Sequence, residues 1–176
     1  MRFLIMCLIG GVCCQTGSVF ADDYIDRLAP KKEKFIELNI SLPPYPQESA
    51  LQTVPIDNRN AGFQYSVDVN SLSVGSDGVT RYTMVVKSPS GSSNVFYEGV
   101  RCDTAEYKTY AYGTTAGTFL PLRNASWKPI VSGDNRHYQQ DLAKNFLCNP
   151  SGGPYKRAIV INRFQNFQDE STDLLQ

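Results

Sequence analysis

Between Phe63 and Asp103 the sequence passes through three strand-like runs separated by turn signals, and this succession limits the fold more than any other feature of the chain. In the first run, Phe63, Tyr65, Val67 and Val69 alternate with Gln64, Ser66, Asp68 and Asn70, the period of two that marks a half-buried strand. Leu72 and Val74 then fall on the opposite parity. One extra residue exchanges the two faces of a strand, so a bulge or bend is expected near Asn70–Ser71. Gly75-Ser76-Asp77-Gly78 follows as a hairpin turn, with Asp-Gly suited to positive φ.

The second run, Val79–Lys87, puts Tyr82, Met84 and Val86 on one face and Arg81, Thr83, Val85 and Lys87 on the other. After the polar loop Ser88–Ser93, the third run, Asn94–Cys102, puts Phe96, Glu98, Val100 and Cys102 on one face. Val95, Tyr97, Gly99 and Arg101 take the other. Glu106–Tyr112 is a tyrosine-rich fourth run and Phe119–Arg123 a weaker fifth. Short strands joined by short loops imply an antiparallel meander. From about Asn135 the apolar period changes to 3.6, with Tyr138, Leu142 and Phe146 four apart and Ala143 and Leu147 beside them. Asp134 or Asn135 is placed to cap this helix, and Asn149-Pro150 ends it. Ala158–Ile161 is a short apolar run, strand or helix, and residues 164–176 read as a flexible tail.

The N-terminus carries an export signal. Arg2, the apolar run Phe3–Val12 and the small-residue pattern Val19-Phe20-Ala21 predict a signal peptide over residues 1–21, cut after Ala21. About ten apolar residues are too few to span a bilayer as a helix, and no later stretch is long enough. The alternative is lipidation at Cys13 or Cys14, although neither Val12 nor Cys13 is the small residue that a lipobox wants before its cysteine. Residues 22–60 read as an extended lead-in. Within it Asp23–Phe35 is a short helix interrupted by Pro30, and Leu42-Pro43-Pro44-Tyr45-Pro46 favours polyproline II. That proline segment suits a strap across the domain better than a peptide docking motif. Residues 61–163 form the domain.

Of five cysteines, Cys7, Cys13 and Cys14 lie in the signal, leaving Cys102 and Cys148. An even pair in an exported chain is most simply a disulfide, the alternative being two buried thiols. Cys102 shares a face with Phe96 and Val100, and a bridge needs Cα atoms within about 7 Å. The end of the later helix must then lie on that face. The expected fold class is α+β: an antiparallel β-sheet meander with one amphipathic helix packed on one face, clamped by the disulfide.

These residues also carry a resemblance. Ser66-Val67-Asp68-Val69-Asn70-Ser71-Leu72-Ser73-Val74-Gly75-Ser76-Asp77-Gly78-Val79-Thr80-Arg81-Tyr82 resembles the signature of the cryptic neisserial protein family of bacterial exported proteins. The likeness continues through Ser88-Pro89-Ser90-Gly91, Tyr97-Glu98-Gly99-Val100-Arg101-Cys102, Tyr110-Ala111-Tyr112-Gly113, Trp127-Lys128-Pro129-Ile130, Asn135-Arg136-His137-Tyr138 and Phe146-Leu147-Cys148. It covers roughly Phe63–Cys148. The resemblance implies a periplasmic location, with lipoproteins among the relatives. It implies no reaction and no catalytic residue.

The candidate sites are few. His137 is the sole histidine; Asp141 is one helical turn away, but no nucleophile-elbow pattern completes a triad, and a polar residue at a helix start is the better reading. A zinc site lacks its usual ligands, and no metal or other cofactor is expected. Glu98 stands out because alternation sets it between Phe96 and Val100, where an unpaired carboxylate is expensive. It is either a catalytic acid of raised pKa in a cleft or, as the favoured reading, the partner of Arg81, Arg101 or Arg123, or a residue on a wet sheet edge. A retaining glycosidase needs a second carboxylate about 5 Å away, for which Asp103 or Glu106 is the candidate. Tyr97, Tyr107, Tyr110, Tyr112 and Trp127 are candidates for an aromatic platform that binds sugars or peptides, against the alternative of sheet packing.

With the signal removed, 16 basic residues face 17 acidic ones, which gives no electrostatic footprint for nucleic acid. The expectation is an exported periplasmic protein, more a non-enzymatic binding domain for an envelope protein or cell-wall component than an enzyme. The alternative is a periplasmic hydrolase of glycan or peptide with Glu98 as its acid.

Overall fold

The computed structural model describes residues 34–56, 62–131 and 138–166. The expected signal peptide, most of the Asp23–Phe35 stretch, the candidate caps Asp134 and Asn135, and His137 lie outside the described residues. The chain divides into two units at Phe35, and the sheet, its helices and the strap all belong to the second, Ile36–Gln176.

Strands β1 (Leu51–Thr53), β2 (Gln64–Val74), β3 (Val79–Lys87), β4 (Ser93–Arg101), β5 (Glu106–Gly113) and β6 (Phe119–Pro121) lie in sequence order in one antiparallel sheet, and β7 (Lys128–Pro129) also pairs with β5. The alternating runs are the strands, because a chain of period two buries one set of side chains only when it is extended. Gly78 closes the β2–β3 hairpin at φ +75°, a conformation that side chains with a Cβ rarely adopt. The expected irregularity in β2 is present: the β2–β3 register shifts between Asp68 and Ser73. The polar groups around this bulge find other partners. Ser71 Oγ donates to Asp68 O at 2.9 Å and accepts from Thr83 N–H at 2.8 Å. Arg157 donates to Leu72 O and Val69 O, each at 2.8 Å.

Two helices, not one, cover the first face. α1 (Tyr138–Leu142) continues as a π-helical turn, Ala143–Leu147, which ends with Cys148 N–H donating to Ala143 O at 2.9 Å. Leu142, Phe146 and Leu147 are fully buried against Tyr82, Met84 and Val100. α2 (Arg157–Asn166) resolves the ambiguous run at Ala158–Ile161 as helix. Its Phe164, which the sequence reading places at the start of the tail, is 3% exposed, with its ring 5.0 Å from that of Phe146. Apolar burial keeps the helix going to Asn166. Cys102 and Cys148 are disulfide-bonded with Cα atoms 5.5 Å apart, which pins the end of the π turn beside β4.

On the second face, the described strap of the lead-in packs on the sheet. Its segment 36–47 has no regular structure; Ile40 and Leu42 pack on Tyr97, Tyr110 and Ala111, and the Tyr45 ring lies 5.4 Å from Phe119. The proline-rich stretch is thus a strap. A one-turn 3₁₀ helix (Glu48–Ala50) leads from it into β1. The disulfide-clamped α+β fold stands, with helices on one sheet face and the strap on the other.

Candidate functional site

Three arrangements concentrate polar chemistry, and they divide between the two faces. On the helix face, Glu98 projects from β4 between Tyr82 of β3 and Thr109 of β5. The residue is 2% exposed. Oε2 accepts from Tyr82 OH at 3.1 Å and Tyr138 OH at 2.8 Å. Oε1 accepts from Thr109 OH at 3.0 Å, and Gln139 Nε2 reaches both oxygens at 3.2 and 3.3 Å. Burial pushes the carboxyl above its ordinary pKa, and the four neutral donors only partly counter it. Burial and the Glu98 charge push the Tyr82 and Tyr138 phenols up in turn.

The expected arginine partner is absent from this set, for a reason already present in the alternation. Arg81 and Arg101 stand on the parity opposite to Glu98, so they point to the other face, and Arg123 is exposed. The wet edge fails too, because β4 runs between β3 and β5. Nor do Asp103 and Glu106 supply a second acid: both accept from Arg101, at 3.1 and 3.2 Å, and β5 alternation sets Glu106 on the opposite face. Chemically, the Glu98 group ties β3, β4, β5 and α1 together; it does not open to a substrate.

On the strap face, Asp77 and Arg81 form a two-pronged pair at 2.6 and 3.1 Å, with side chains 1% and 3% exposed. Asp77 also accepts from the backbone of Leu38 and Val79. Beside this pair, Glu37 of the strap accepts from Lys108 Nζ at 2.9 Å, Tyr110 OH at 2.8 Å and Trp127 Nε1 at 3.3 Å, with Arg81 4.0 Å away. Lys108 lies 5.2 Å from the Tyr110 ring centroid and 5.8 Å from that of Trp127, within cation–π range. Burial alone would raise the Glu37 and Asp77 carboxyls; the hydrogen bonds and neighbouring cations outweigh it and hold both below the ordinary range. Tyr110 lies over Gly99, where a Cβ would come within 2.8 Å of its hydroxyl, so glycine is what lets this ring settle on the sheet.

The third arrangement is a cleft of about 480 Å³ at the far end of the strap. Tyr45, Pro46 and Glu48 form one wall, and Gln64, Ser66, Val85, Lys87, Ser93 and Val95 form its floor on the sheet. Its volume suits a small ligand.

The five aromatic candidates do not make one platform. Tyr97 and Tyr110 are buried under the strap, with Trp127 edge-on to Tyr110 at 6.5 Å. Tyr107 and Tyr112 belong to the helix face, Tyr112 half-exposed and edge-on to Phe96 at 5.5 Å. Sequence reasoning misses Glu37, Lys108 and the Asp77–Arg81 pair. It treats Asp77 only as a turn residue, yet Asp at the turn and Arg four residues later, on the face of Tyr97, form a usable signal. Glu37 has none, since its hydrogen-bond partners lie 71 to 90 residues away. Among the described residues, no three His, Cys, Asp or Glu side chains gather in a way that could hold a metal ion, and no helix is long and apolar enough to cross a membrane.

Residues 30–165 match the CNP1-like family. The chain is similar to Cryptic neisserial protein 1 of Neisseria gonorrhoeae, 31% identical over 111 residues in an alignment covering 55% of either chain. It therefore spans about half the length of that curated relative. No solved structure matches. With the family match extending over more than half of its length, the chain belongs to the CNP1-like family.

Proposed function

We propose that this chain is an exported, non-enzymatic binding domain of the bacterial envelope, working in the periplasm on a cell-wall component or envelope protein. The carrying observation is the contrast between an open cleft and a sealed acid. The cleft offers the faces of Tyr45, Pro46, Val85 and Val95 together with hydrogen-bonding groups on Thr53, Gln64, Ser66 and Ser93, and one charge of each sign on Lys87 and Glu48. That mixture suits a glycan or peptide segment, which alternates apolar and hydrogen-bonding surface. The hydrolase alternative needs Glu98 to touch a substrate, whereas this carboxyl is enclosed by Tyr82, Thr109, Tyr138 and Gln139. The Cys102–Cys148 bond supports an oxidising compartment and so export by either route, while Val12 and Cys13, where a lipobox wants a small residue, favour cutting after Ala21 over a lipid anchor.

Calorimetric titration with solubilised cell-wall fragments tests the binding reading. Saturable binding should weaken at least tenfold in Tyr45→Ala and Lys87→Ala and stay unchanged in Glu98→Gln. Fragment cleavage that disappears in Glu98→Gln would replace it with the hydrolase. The intact mass of the exported protein, beginning at Asp22 without added lipid, checks the route.

A further inference from the structure

Glu37 sits in its surroundings as a ligand sits in a receptor. One carboxylate collects an ammonium, a phenol and an indole N–H from three positions of the folded domain, with a guanidinium close behind. The neighbouring charges are already matched: Arg81 is engaged by Asp77, and Arg101 by Asp103 and Glu106, while Lys108 pairs with Glu37. Lys108 Nζ, Tyr110 OH and Trp127 Nε1 converge on the position of one carboxylate, a cation with two neutral donors, a composition that selects a carboxylate.

At this end the hold on the strap is polar: the contacts of Glu37 itself, and the Leu38 N–H donated to Asp77 at 3.0 Å. Ile36 is 78% exposed and Leu38 43%, so the residues flanking Glu37 contribute little apolar burial. The firm apolar anchors, Ile40 and Leu42, come later. Lifting residues 36–38 gives up the Leu38–Asp77 bond and the Glu37 contacts, and an incoming carboxylate would restore each hydrogen bond that Glu37 loses.

We propose that Arg81, Lys108, Tyr110 and Trp127 form a carboxylate-binding pocket whose resident occupant is Glu37, and that the free C-terminal carboxylate of a peptide takes its place when residues 36–38 lift. The pocket is built from different residues than the cleft, so this inference stands or falls apart from the cleft reading. Because Glu37 is tethered a few residues from a fixed point, it competes at an effective concentration on the order of millimolar. Removing it should therefore tighten external binding.

Trp127 is the sole tryptophan and donates to Glu37, so its emission reports occupancy. The exported protein and its Glu37→Ala variant are titrated with N-acetyl-Ala-Ala as free acid and as amide. The expected result is a saturable Trp127 response to the acid alone, with apparent affinity at least tenfold tighter in Glu37→Ala, and loss of that gain when Lys108→Met is added. Should Glu37→Ala fail to fold, Glu37→Gln, which keeps the shape and removes the charge, serves the same comparison. Equal responses to acid and amide, equal affinity with and without Glu37, or no response in the variant would each overturn the proposal.

Discussion

The two faces of the sheet each bury acid, and they solve the problem in opposite ways. On the helix face, Glu98 is surrounded by neutral donors, and its pKa is raised. On the strap face, Asp77 and Glu37 are met by Arg81 and Lys108, and their pKa values are lowered. Neutral donors satisfy the lone pairs of a carboxylate without balancing its charge, so burial wins; a cation in contact reverses the outcome. The faces also differ in what holds them. The helix face is closed by a covalent bond between Cys102 and Cys148, the strap face by ion pairs and packing.

Breaking the covalent closure should have the largest effect. The disulfide closes a loop with a sequence separation of 46 residues. The chain-entropy argument assigns such a loop about 4 kcal/mol. Cys102→Ser with Cys148→Ser should lose that much in urea denaturation, and a reductant should bring the unaltered protein to the same curve. Next comes Arg81→Met. It leaves the Asp77 carboxylate buried without its cation, a change that costs about 3 kcal/mol, at the low end of what broken buried pairs lose because Leu38 and Val79 still donate to it. Removing the charge of the partner as well, with Asp77→Asn, which keeps an acceptor oxygen for the backbone donors, should recover part of the loss; if the double variant is as weak as the single, the pair is not acting as a unit.

Packing beneath the strap is a finer probe. In Gly99→Ala the new Cβ would stand 2.8 Å from Tyr110 Oη and 2.9 Å from Val79 Cγ1. Overpacking of this kind costs about 1–3 kcal/mol. A melting temperature unchanged by this substitution would show that Tyr110 is free to move.

The smallest effect is the sharpest test of the comparison, because the two faces should answer pH with opposite signs. Glu98 has a raised folded pKa, so its contribution to stability is fully present below the ordinary carboxylate pKa and is lost as pH rises through the folded value. Glu37 and Asp77 have lowered folded pKa values, so theirs is present above the ordinary value and is lost as pH falls through the folded ones. Melting curves across the acid range should therefore show Glu98→Gln gaining on the unaltered protein as pH rises. Glu37→Gln should gain on it as pH falls. Parallel profiles would mean that the acids of the two faces are not held differently.

Strands β2 to β6, their meander order and the faces of β2 to β4 were legible in the sequence, whereas β1, β7 and the β4–β5 register shift at Tyr97–Glu98 were not. The bulge near Asn70, the positive φ at Gly78 and the pairing of Cys102 with Cys148 followed as well. These features rest on neighbours a few residues apart, on hydrogen-bonding periodicity, or on there being two cysteines to join. The tertiary structure decided which donors meet which acids. Glu98 was recognisable as a buried acid, but its ring of Tyr82, Thr109, Tyr138 and Gln139 depended on the registers of two strand pairs and the seating of α1. Glu37 was one charged residue in an irregular lead-in until the strap laid it against Lys108, Tyr110 and Trp127. Local pattern fixes where a side chain points; only packing fixes what it meets, because contacts 71 to 90 residues apart leave no periodic trace in the chain.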